Sequence, residues 1–183
     1  MLEFCYELPY EDLDFTDPET RKLYRIGRGE QGVLLVRPYT NDICSNWRFV
    51  DEDTAHKSSA KIYEMFQNYL SQGDFIGMDM ARKFLEMGFT RARRYANHSS
   101  GRKYDSLGEV RPQEKDWKVN EKAKAAQVFK KVRDLAAYNS TYQIMRKEWR
   151  KNESAYATRV DSLAAASNVT RAQYSRKRSK VSG

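Results

Sequence analysis

The chain has 183 residues, 40% of them hydrophobic, and carries 33 Lys and Arg against 25 Asp and Glu, a formal net charge of +8. That length suits one domain with an appendage, and 12 Tyr, 8 Phe and 3 Trp supply a core, which excludes disorder along the whole chain. No apolar run approaches the roughly 20 residues that span a bilayer, and two Cys with two His make neither a disulfide framework nor a zinc-spaced set.

Residues 1–20 are aromatic and acidic, and acid stands where a signal peptide carries base, so the expected location is cytoplasmic, or nuclear in a eukaryotic host. Asp17-Pro18-Glu19 has the form of a cap, a first-turn proline and an acid, predicting a short helix over 18–23. Tyr24-Arg25-Ile26 and Val33-Leu34-Leu35-Val36 flank Gly27-Arg28-Gly29-Glu30-Gln31-Gly32, which predicts a β-hairpin over 24–37 with a glycine-rich loop. Asp51-Glu52-Asp53 opens a helix over 54–72, with Ala55, Ser59, Ile62, Phe66 and Tyr69 on one stripe. Gly73 ends it and Asp74 caps a helix over 75–87 that stops at Gly88. Thr90 caps a third over 91–97, and 101–116 read as a surface loop.

Apolar residues from Val119 to Tyr138 predict a long amphipathic helix over 119–138, broken at Asn139-Ser140 before another begins at Thr141. The domain expected is 1–150, followed by a helical extension over 151–166 and a disordered basic tail over 167–183. The predicted class is α+β, mainly α: a short hairpin packed on four to five helices.

Charge is unevenly spread. Residues 1–90 hold 10 Lys and Arg against 16 Asp and Glu, whereas 91–183 hold 23 against 9, which points to a polyanionic partner for the second half. Thr90–His98 places Arg91, Arg94 and His98 on one helical face with Arg93 and Tyr95 beside them, and Arg102, Lys103 and Tyr104 follow. Guanidinium forks match phosphate oxygens and a flanking tyrosine stacks on a base; the competing reading pairs these arginines with Asp12, Asp14, Asp51 or Asp53. The glycine loop matches G-x-G-x-x-G, but a strand follows it where a dinucleotide fold needs a helix, leaving a tight hairpin or a phosphate nest with Arg28. Arg176-Lys177-Arg178-Ser179-Lys180 reads as a nuclear-localisation-like or nucleic-acid-binding stretch.

Catalytic signatures are sparse. Glu30, Asp79 and His98 are the alternative acid, base or metal-ligand candidates, with an i,i+4 ion pair to Lys83 as the plain reading of Asp79.

The run Arg25–Tyr39, the triplet Trp47-Arg48-Phe49, and the run Gly73–Asn97 (GDFIGMDMARKFLEMGFTRARRYAN) resemble a family of small uncharacterised proteins. That family is catalogued as a domain of unknown function, in bacteria, in phages including those of cyanobacteria, and in some eukaryotes. The resemblance covers roughly residues 4–150 and implies no activity; it also implies that the basic tail is an addition to the family's usual length.

The expected function is binding of a phosphate-bearing ligand, DNA or RNA foremost, without a cofactor or metal. Arg28, Arg91, Arg93, Arg94, Arg102 and Lys103 would contact phosphates, Tyr95 and Tyr104 would stack, and Trp47 and Arg48 would line the edge. The alternatives are an enzyme acting on a nucleotide or phosphoester and an adaptor that grips a protein partner through residues 119–163.

Overall fold

Helices begin where a side chain satisfies the free amides of a first turn. In the computed structural model, which describes residues 4–167, a single 3₁₀ turn at Tyr10–Asp12 precedes α1 (Pro18–Arg21), where Asp17 accepts from the amides of Glu19 and Thr20. After α2 (Tyr39–Cys44), the Asp51 carboxylate accepts from Thr54 N at 2.7 Å and opens α3 (Glu52–Ser71). Asp74 does the same for α4 (Phe75–Asn97), Asn120 for α5 (Glu121–Ala137) and Asn139 for α6 (Ser140–Asn152). A 3₁₀ turn at Glu153–Tyr156 leads into helical residues 157–167.

α4 is the axis of the fold. It packs against α2, α3, α5 and α6, and its first half is buried nearly all round, from Phe75 to Ala81. An aromatic chain runs through the core beside it: Tyr24 and Trp149 both meet Phe75, Phe75 stacks on Tyr142 at 5.9 Å, and Tyr142 meets Phe66 edge-on.

The expected α+β class is corrected to mainly α, because the described residues contain no strand; the sole ladder contact among them is an isolated bridge, Tyr104 to Val110. The predicted hairpin over 24–37 is instead an extended segment followed by turns. Its apolar residues are buried as a hairpin's would be, but side chains of helices take its backbone partners. Glu153 accepts from Ile26 N at 2.6 Å, Trp149 donates to Tyr24 O, Arg150 to Ile26 O, and Lys83 to Gln31 O. Thr40 donates to the carbonyls of Val33 and Val36. With these groups satisfied, the two segments have no need to pair with each other.

A second correction concerns Gly88, a helix end by its sequence. α4 passes straight through it, joining the predicted helices 75–87 and 91–97, and Thr90 lies inside the helix with its hydroxyl on Met87 O and Glu30. A Cβ on Gly88 would stand 2.4 Å from the Phe129 ring of α5, so the missing side chain is what lets the helices approach. The expected extension over 151–166 is part of the packed body: Val160 is buried, and Arg25 and Glu19 pair with Asp161 and Arg159. The predicted tail with Arg176–Lys180 lies outside the described residues.

Candidate functional site

Asp79 lies within the first turns of α4 and is wholly buried. Its carboxylate accepts from the hydroxyls of Tyr24 and Tyr142, the latter at 2.6 Å, and from Arg82 Nε at 3.2 Å, with Lys83 Nζ 3.5 Å away. The i,i+4 pair read from the sequence is therefore present, inside a larger network. Burial pushes the Asp79 carboxyl up, but Lys83, Arg82 and the tyrosine hydroxyls outweigh it and hold it well below the carboxylate range. Burial drives the Lys83 ammonium down to about 8, against the attraction of Asp79 and with repulsion from Arg82. The same burial and the facing carboxylate push the Tyr24 and Tyr142 phenols up.

This network anchors the glycine segment. Lys83 holds Gln31 O at 2.9 Å and Arg82 Nη2 holds Gly29 O at 3.1 Å, while Gln31 Oε1 accepts from Arg28 N. Gly32 has φ +79°, and a Cβ there would stand 2.1 Å from Phe4, so no other residue fits this turn. Between the glycine segment and α6 opens a cavity of about 750 Å³. Arg28, Arg82, Arg146 and Arg150 line it, with Phe4 and Tyr6 on the apolar wall. Arg150 reaches Glu153 and Ile26 O, whereas the Arg28 and Arg146 guanidinium groups have no carboxylate partner among the described residues.

The other predicted cations lie elsewhere. Arg91, Arg93, Arg94, Arg102 and Lys103 occupy the far end of α4 and the loop after it; at 1.5 Å per residue, Arg94 is roughly 18 Å along the helix from Arg82. None of the three helical arginines pairs with an acid among the described residues, Asp12, Asp14, Asp51 and Asp53 included. The same holds for every cation from Arg91 to Lys118, whereas acids of that stretch bind backbone: Asp105 takes the amides of Leu107 and Glu109, and Glu114 that of Ser99. Arg93 lies over the Trp117 ring at 4.5 Å, Lys118 at 5.2 Å from the same ring, and Lys103 over Tyr104, which is 52% exposed. Tyr95 is partly exposed and packs on Phe49.

Trp47 is half-buried, its ring packed against Phe49 and Phe84, and Arg48 turns its guanidinium back onto the carbonyls of Cys44 and Trp47. Nor do the alternative catalytic residues share a centre. Glu30 accepts from Thr90, Asp79 is enclosed near the other end of α4, and His98 is buried at its C-terminus with Nδ1 unpartnered. The described residues contain no group of three His, Cys, Asp or Glu placed for a metal, and no helix among them is long and apolar enough to cross a membrane. Within 119–163, Val119, Leu135, Tyr138 and Ile144 are exposed. Sequence reasoning misses Arg82, Arg146 and Arg150; the spacing of Arg146 and Arg150, four apart on one helix, is the only local sign of their shared face.

A family model described as "Domain of unknown function (DUF4385)" matches residues 5–152. No curated protein and no solved structure matches the chain.

Proposed function

Because the chain belongs to the DUF4385 family, whose description carries no activity, we propose a function from its own geometry: it binds nucleic acid, with the C-terminal half of α4 and the loop after it on the phosphate backbone. The observation that supports this most is that the eight cations from Arg91 to Lys118 lack carboxylate partners among the described residues, while Asp105 and Glu114 hold backbone amides. Elsewhere among the described residues 11 of the 20 Lys and Arg sit in ion pairs, Arg21, Arg25, Arg133 and Arg159 among them, whereas none of these eight does. Unpaired cations gathered at the end of one helix and in the loop after it are what phosphate neutralisation requires. The exposed Tyr104 adds a flat surface on which an unpaired base can stack, which favours single strands.

The test is fluorescence anisotropy with labelled single- and double-stranded DNA and RNA across a salt series, on the full chain and on Arg94→Glu/Arg102→Glu. The tail is present in both proteins, so it does not separate them. The expected result is weaker binding by the variant and a salt slope reduced by about one for each phosphate it no longer neutralises. Equal affinity and an equal slope would overturn the assignment of this face.

A further inference from the structure

The cavity beside the glycine segment is a second cationic site, distinct in place and shape from the open α4 face. We propose that it binds the phosphomonoester of a nucleotide-sized ligand, with Arg28 and Arg146 as the principal phosphate contacts and the exposed Tyr6 against a planar ring.

Charge is the first ground. Arg82 and Lys83 share the single carboxylate of Asp79, Glu153 offsets Arg150, and Arg28 and Arg146 face no carboxylate partner among the described residues. With Glu7 on the rim counted, two positive charges remain in excess, matching the charge of about −1.5 to −2 on a phosphomonoester near pH 7. Guanidinium groups approaching from the loop, from α4 and from α6 suit a group with several equivalent oxygens better than a flat carboxylate.

Preorganisation is the second. Arg82 is fixed by Asp79 and Gly29 O, and Arg150 by Glu153 and Ile26 O, so two of the four positive groups are already locked in place. The buried Arg150 Nε has no partner among the described residues.

Size is the third. A volume of about 750 Å³ far exceeds a bare phosphate and falls within the range of about 300–1,000 Å³ typical of small-molecule sites. Phe4 and Tyr6 meet edge to face at 4.9 Å, and the exposed Tyr6 ring offers the apolar wall a ring can cover.

The experiment is calorimetric titration of the full chain with the four nucleoside monophosphates, the matching nucleosides and inorganic phosphate. Arg28→Ala and Arg146→Ala are the test variants, neither guanidinium being held in an ion pair among the described residues, and Lys57→Ala, an exposed position on α3 outside both cationic regions, is the control. The expected result is saturable binding of at least one monophosphate, at least tenfold tighter than its nucleoside. Each test variant weakens it about tenfold or more and Lys57→Ala leaves it unchanged. Competition by 5′-phosphorylated but not 5′-hydroxyl oligonucleotides identifies a strand end as the source of the phosphate; its absence identifies the free nucleotide. No saturable binding at millimolar ligand, nucleoside binding as tight as its monophosphate, or equal weakening in Lys57→Ala would overturn the proposal. These outcomes are independent of the salt-slope result on the α4 face.

Discussion

Removing the Asp79 carboxylate would strand Lys83 where no water reaches it and leave Arg82, at the cavity wall, without its acid. Lys83 is fully buried, and its remaining partners would be a phenol and one carbonyl. Breaking a buried ion pair from one side costs about 3–5 kcal/mol, so Asp79→Ala should lower unfolding free energy by that order in urea titrations. Titration of Lys83 gives the network a second signature. The native state releases this proton at about 8, whereas the unfolded chain holds it to the ordinary 10.5. Between those values the unfolded state binds more protons, so this residue's contribution makes stability rise with pH. The buried phenols of Tyr24 and Tyr142 act oppositely above pH 10, because their pKa values are raised and only the unfolded chain ionises there. Denaturant titrations of wild type and Lys83→Met over pH 7–10 should differ by a wild-type rise that starts near pH 8; parallel curves would show that Lys83 keeps its proton.

Packing along α4 decides the helix-level outcome. Alanine is intrinsically the better helix former by about 0.8–1 kcal/mol, yet Gly88→Ala sets a methyl against the fully buried Phe129 ring. Overpacking of this kind costs about 1–3 kcal/mol and should win, giving a lower thermal midpoint that Phe129→Leu in the same chain partly restores. The contact shows why the helix is legible and its length is not: caps such as Asp51, Asp74 and Asn139 act within three residues, but a glycine that admits a neighbouring helix looks identical to one that ends its own. The missed class has the same origin. Val33–Val36 carries the apolar content of a strand, and only the arrival of the Thr40 hydroxyl and α6 side chains on nearby carbonyls removes the need for a ladder. The candidate sites follow this rule as well. Arg91–Lys103 is contiguous and readable as a basic cluster, whereas Arg28, Arg82, Arg146 and Arg150 span more than a hundred positions and meet only through the tertiary fold.

For the whole molecule, residues beyond 150 pack on the start of the chain, where Glu153, Ala157 and Asp161 close on residues 25 and 26. The joining contacts are among the longest in sequence, Ile26 to Glu153 over 127 positions and Glu19 to Arg159 over 140. During synthesis the amide of Ile26 therefore leaves the ribosome long before the carboxylate that accepts from it, and translation at about 5–20 residues per second makes that wait several seconds or more. Helices α3 to α5, neighbours in sequence, can assemble meanwhile. The arginine-lined cavity cannot: one of its walls is translated near the start of the chain and the opposite wall near residue 150, so any ligand-holding capacity arises as a late event in the life of each molecule.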